Sequence, residues 1–143
     1  MEVPMKATGS CMCKAVTFSF DLKNQHFDVC HCSMCRNWGG GPALTVESAG
    51  NIEFSGEENI TVYSSSEWAE RGFCNKCGSN LFYRLKDKSH NFCNFNLGTL
   101  NNHEEFRFTT QIFIDAKPSN YSFSNETKNM TEKDVLEAFG ISE

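Results

Sequence analysis

Seven of the eight cysteines in this 143-residue chain fall in tight groups: Cys11 and Cys13, then Cys30, Cys32 and Cys35, then Cys74 and Cys77. That spacing limits the fold more than any other feature. A chain of this length buries an adequate core without covalent staples. The N-terminal MEVPMKATGS has no apolar stretch of the kind that directs secretion. The cysteines are therefore read as reduced thiols in a cytoplasmic setting, serving metal ligation or catalysis in preference to disulfides. Cys93 stands alone in HNFCNFNL and reads as a small buried hydrophobe.

The ligand count divides naturally. Structural zinc takes four protein ligands in a closed tetrahedron, whereas catalytic zinc takes three and leaves one position open. Cys74-Asn75-Lys76-Cys77-Gly78 is a zinc-knuckle pattern, and its glycine lets backbone amides turn toward the sulfurs. Pairing it with Cys11 and Cys13 makes a four-cysteine site. Cys30, Cys32 and Cys35 are then left as a three-cysteine site with an open position. Two other partitions fit the spacing. Cys32 and Cys35 could join Cys74 and Cys77, or His31 could complete the triple as a fourth ligand. A redox pair of Cys32 and Cys35 is a third option, although no βαβ pattern surrounds it. Three thiolates leave zinc with a net charge of about -1, by ligand count. Such a centre makes hydroxide poorly but suits an incoming thiol, which it deprotonates and keeps nucleophilic.

Between the cysteines the apolar residues alternate. In AVTFSF, Val16, Phe18 and Phe20 share one face. Similar strands are expected in PALTV, NIEF, NITVYSS, NLFYRL, HNFCNFNL and TQIFID, with turn residues between them. Thirteen phenylalanines suit the inner face of such sheets. TEKDVLEAFG is the one expected helix, opening on a capping-box-like Thr131 and Asp134 and closing at Gly140. The fold class is therefore mostly β: one zinc-binding domain over 1–143, with a core of about 8–123 and a C-terminal extension, 124–143, that carries the short helix. A net charge of -5 with no Lys/Arg run argues against nucleic-acid binding. No apolar run is long enough to cross a membrane as a helix. Oligomeric state is not legible.

GSCMC at 9–13, CHCSMCR at 30–36, RGFCNKCGS at 71–79, LGTLNN at 97–102 and QIFIDAKP at 111–118 occur in this order. On these motifs the chain resembles the glutathione-dependent formaldehyde-activating enzymes, the family that includes centromere protein V. The resemblance implies an all-β fold related to a zinc-containing accessory protein of small GTPases. It implies two zinc sites: a structural one at Cys11, Cys13, Cys74 and Cys77, and a catalytic one at Cys30, Cys32 and Cys35, where glutathione sulfur can meet the metal. The implied activity is a carbon–sulfur lyase or synthase acting on S-(hydroxymethyl)glutathione, with a small-molecule thiol or thiol–aldehyde adduct as partner. The sequence departs from the family pattern at Lys14, usually glycine, at Asn101 and Asn102, more often Asp-Asp, and at Gln111, often histidine.

Around the triple, Arg36 is a candidate for pairing a substrate carboxylate, and Trp38, Gly39 and Gly40 are candidates for bordering the open position. Arg71 and Lys76 read as charge compensation for the second knuckle. The competing function is a non-catalytic, zinc-stabilised binding module or a thiol- and redox-responsive metal-binding protein.

Overall fold

The computed structural model describes residues 5–140. Its strands are β1 (Lys6–Ser10), β2 (Thr17–Asp21), β3 (His26–Cys30), β4 (Ala43–Glu47), β5 (Glu53–Ser55), β6 (Ile60–Ser64), β7 (Ala69–Cys74), β8 (Asn80–Leu85), β9 (Cys93–Asn96), β10 (Arg107–Ile112) and β11 (Lys128–Met130). Two helices accompany them, α1 (Ser33–Gly39) and α2 (Glu132–Ala138). The mostly-β expectation with a short C-terminal helix holds. Among the described residues no helix is long and apolar enough to cross a membrane.

The chain divides into two compact units. The first runs to Gln25 and resumes over Val46–Phe106. In it β2 pairs antiparallel with both β1 and β5, and β6, β7, β8 and β9 follow one another as an antiparallel meander. Period-two alternation turns Phe18 and Phe20 to one face, as the pattern requires. Their rings stack on Phe95 at centroid distances of 4.6 and 4.4 Å. Phe54 and Phe82 close the same cluster. Two glycines make room for it. A Cβ on Gly72 would lie 2.2 Å from the Phe82 ring, and one on Gly9 would lie 2.7 Å from Phe18 and 2.4 Å from the Thr99 carbonyl oxygen.

The second unit comprises His26–Thr45 and the chain from Arg107 on. Here β10 runs parallel to both β3 and β11, with a register shift between Phe108 and Thr110, and β3 pairs antiparallel with β4. Phe27 stacks on Phe108 at 5.1 Å, and Phe123 meets Phe108 edge-on. Val29 and Val135 are buried. The capping box of α2 forms as its sequence predicts: Asp134 N–H donates to Thr131 Oγ1, and Thr131 N–H donates to the Asp134 carboxylate.

Two local expectations need correction. TQIFID does not stay extended to Asp115. β10 stops at Ile112 because Phe113 takes a left-handed backbone (φ 54°), and a 3₁₀ turn follows over Ile114–Ala116. The second difference is α1, a helix capped by one of the cysteines.

Candidate functional site

The first knuckle follows β1, and the second is the turn between β7 and β8. Cys11 N–H bonds the Val16 carbonyl and Lys14 N–H bonds the Cys11 carbonyl, so the chain reverses tightly between β1 and β2. Lys14 closes this turn at φ 64°, a left-handed conformation that favours glycine. At the second knuckle Gly78, at φ 80°, returns its N–H to the Cys74 carbonyl. Ser79 joins the two turns. Its hydroxyl oxygen accepts from the Met12 N–H at 3.0 Å and lies 3.2 Å from Cys77 Sγ.

These turns bring Cys11, Cys13, Cys74 and Cys77 together, with all four sulfurs within 4.8 Å of one another. Cys11 and Cys13 are 3.6 Å apart, and Cys13 and Cys74 are 3.7 Å apart. A tetrahedron of Zn–S bonds of about 2.3 Å places its sulfurs about 3.8 Å apart, so the donor set has the dimensions of a closed zinc tetrathiolate. Backbone amides already face the sulfurs. Val16 N–H donates to Cys11 Sγ at 3.3 Å, and Lys76 N–H donates to Cys74 Sγ at 3.4 Å. The Ser79 hydroxyl, then the Ser79 amide, pull the Cys77 thiol down to about 5. At Cys13 the Ala15 amide also acts downward. Desolvation and the bonds to Cys11, Cys77 and Cys74 outweigh it and leave that thiol at about 11. A lowered Cys77 beside a raised Cys13 is the behaviour of a cluster whose thiols do not all ionise without a cation.

In the second unit Cys30 ends β3, and Cys32 and Cys35 belong to the start of α1. Their three sulfurs also lie within 4.8 Å of one another. Among the described residues no fourth His, Cys, Asp or Glu donor joins them. The partition of Cys32 and Cys35 with Cys74 and Cys77 does not occur. His31 is not a member either. It is fully buried, with Nε2 2.8 Å from Gln111 Oε1. The Gln111 amide nitrogen donates to Thr127 Oγ1, and Thr127 in turn donates to Asn129 Oδ1. That chain of bonds turns the Gln111 oxygen toward His31, so Nε2 is the donor. His31 Nδ1 has no hydrogen-bond partner among the described residues.

Helix α1 is built by the cysteines. Cys32 is its N-cap, accepting the Cys35 N–H on Sγ at 3.3 Å, and Gly40, left-handed at φ 85°, closes its C-terminus. SMCRNWG carries no apolar stripe, which is why hydrophobic periodicity missed it. The signal lay in the Cys-x-x-Cys spacing, which is also cap-to-third-residue spacing. Cys30 is mostly buried. Its thiol is pushed far up by its bonds to Cys32 and Cys35, and further by desolvation. Three thiols so placed do not ionise together without a cation. The donor set therefore fits a three-thiolate zinc with a position free.

Arg36 and Gly40 line a groove beside α1 together with Ser33, Asn37, Asn120 and Tyr121. Trp38 is half-buried and Gly39 is exposed, and neither lines that groove. Arg71 is buried, with its guanidinium 4.9 Å from the Tyr83 ring centroid, an aromatic contact that its place beside the knuckle did not foretell.

The family model for glutathione-dependent formaldehyde-activating enzyme matches residues 6–116, a span that contains all seven clustered cysteines. An uncharacterized lyase of Schizosaccharomyces pombe is 31% identical over 130 residues, covering 91% of this chain and 94% of the relative. A Halomonas elongata protein, named as a candidate glutathione-dependent formaldehyde-activating enzyme, is 31% identical over 87 residues, which is 54% of this chain and 55% of that protein. The crystal structure of a Rhodobacter sphaeroides protein superposes with a TM-score of 0.55 at 26% identity, over 71% of this chain and 99% of that one. With its strands, its two thiol clusters and this match over most of its length, the chain belongs to the glutathione-dependent formaldehyde-activating enzyme family.

Proposed function

We propose that the protein is a zinc-dependent carbon–sulfur lyase, running in reverse as a synthase, on a thiol–aldehyde adduct such as S-(hydroxymethyl)glutathione. One observation carries the reading: three convergent thiols with no fourth protein ligand among the described residues. The family membership and the relatives' names point to the same chemistry.

Cys30, Cys32 and Cys35 would hold the reactive zinc, and Cys11, Cys13, Cys74 and Cys77 a structural one. Zinc bound at the triple supplies charge that favours a substrate thiolate over its thiol. The chain's own residues set the frame. β3 fixes Cys30 between β4 and β10, whereas α1 fixes Cys32 and Cys35. Buried His31, tied through Gln111 to Thr127, holds the link between Cys30 and Cys32 in one conformation. The Arg36 Nε–H bond to the His31 carbonyl, at 2.9 Å, ties α1 to the same link. In the lyase direction the adduct's carbon–sulfur bond breaks. Its electrons stay on sulfur, which gains a proton, and the hydroxyl loses a proton as the aldehyde carbonyl forms.

The test is Cys32→Ser. Serine is a preferred N-cap, so α1 remains capped. The expected result is loss of exchange between glutathione, formaldehyde and their adduct, followed by NMR, with zinc falling from two to one per chain and the circular dichroism unchanged. Exchange at the parent rate would sink the reading.

A further inference from the structure

Beside the triple, α1 and the segment 118–121 border a groove of about 470 Å³. That volume lies within the usual span for small-ligand sites, about 300–1,000 Å³. Among the described residues Arg36 is the only charged one lining it, and no Asp or Glu does, although the whole chain carries a net charge of -5. The other polar walls are Ser33, Asn37, Asn120 and Tyr121. Gly40 and Gly41 leave one side open, since an added Cβ at either meets nothing within 4 Å.

Two features mark the groove as built for an anion. The Arg36 Nε–H is spent on the His31 carbonyl, which fixes the fork and leaves its terminal N–H groups for a ligand. The Tyr121 hydroxyl is buried and has no partner among the described residues. A buried phenol without an acceptor is costly, and a ligand oxygen would satisfy it. Lys117 adds positive charge behind the wall, with its ammonium 4.8 Å from the Tyr121 ring centroid. The position follows from the helix. Ser33 and Arg36 are the residues directly after Cys32 and Cys35, and residues three apart share a helix face.

We propose that this groove is the subsite for the carboxylate tail of the thiol substrate. Arg36 pairs with the carboxylate, and Tyr121 donates to one of its oxygens. The proposal rests on the lyase reading for the location of the sulfur, and it adds a rule of selection. Because no acid lines the groove, an ammonium gains nothing there. The site therefore reads the glycyl carboxylate of a glutathione-like thiol and ignores the γ-glutamyl amine.

Calorimetric titration of the zinc-loaded protein tests this with S-methylglutathione, whose sulfur cannot become a thiolate. Its glycyl ethyl ester and its N-acetyl derivative serve as comparisons. The acid and the N-acetyl acid are expected to bind alike, and the ester at least about tenfold more weakly, the loss of a charge-assisted pair. Arg36→Met should abolish the preference, so that acid and ester bind alike. Tyr121→Phe should weaken the acid several-fold without lowering the melting temperature of the free protein, because its hydroxyl bonds nothing there. Equal binding of acid and ester by the parent, no binding of either, or a preference for the acid that survives Arg36→Met would each overturn the proposal. The lyase reading fails separately: carboxylate selection would persist while the glutathione–formaldehyde adduct went unprocessed.

Discussion

Lys14 carries a strain that the sequence signalled by placing lysine where the family pattern usually has glycine. It occupies a left-handed turn at φ 64° between β1 and β2, where a side chain costs about 1–2 kcal/mol. Glycine would remove that cost but add about 0.5–1 kcal/mol of chain entropy. Lys14→Gly should therefore leave stability unchanged or raise it by up to about 1.5 kcal/mol, read by denaturant titration at fixed zinc. A loss would mean that the lysine side chain contributes something the turn geometry does not explain. Cys93 illustrates the opposite case, a residue whose role was plain from its isolation. It is buried beside the phenylalanine cluster, and desolvation pushes its thiol up to about 12. At pH 8 it stays protonated, so alkylation mapped by mass spectrometry should leave Cys93 unmodified while the fold holds. Labelling at the rate of a free thiol would contradict that. Gln111 and His31 were harder. Sequence gave the polar residue types, but the pairing joins positions 80 residues apart, and no local pattern carries such a partner.

Among the elements, alternation found β2, β4, β5, β6, β8, β9 and β10. It missed β7, whose AERGFC buries Ala69, Arg71, Gly72 and Cys74 and so shows no apolar period. It also missed β1, β3 and β11, short strands of mixed polarity placed by their partners. Gly72 shows how such a strand earns its place: Phe82 lies where a side chain would go. Gly72→Ala should cost about 1–3 kcal/mol, the usual scale of overpacking, in the same titration. An unchanged midpoint would show that the ring moves aside freely. α2 was legible because its cap is local. The backbone and side-chain bonds from Thr131 hold the Asp134 carboxyl below its ordinary value. A depressed carboxyl adds stability that is present above its unfolded value, near pH 4, and is lost as pH falls through the folded one. Asp134→Asn should therefore reduce stability at neutral pH and flatten its dependence below about pH 4. A parallel acid limb in parent and variant would remove the cap from the account.

On the scale of the molecule, a zinc at the four-cysteine site, as proposed, would couple metal to fold. Structural zinc contributes about 10–16 kcal/mol in small peptides, against about 5–15 kcal/mol for a typical domain's whole stability. Cys77→Ser should then abolish zinc at the four-cysteine site and remove hydrogen-exchange protection from the turns it bridges, β1–β2 and β7–β8. Retained protection there would show that the strands hold without the metal. The grouping of seven cysteines into four and three was legible because ligand arithmetic does not depend on knowing the strands. The groove was not, because its opposite wall, near Asn120 and Tyr121, approaches α1 only through tertiary packing. The separation of the ligands also bears on synthesis. Cys13 and Cys74 are 61 positions apart. At about 5–20 residues per second the ribosome takes about 3–12 seconds to add that stretch. The triple is complete long before, and the Gln111 that steadies its link arrives 80 residues after His31. For those seconds the nascent chain offers five thiols and neither finished frame. Selection among metals by site geometry is then not yet in place, so loading of the proposed zinc sites would depend on the metal supply as well as on the finished protein's geometry.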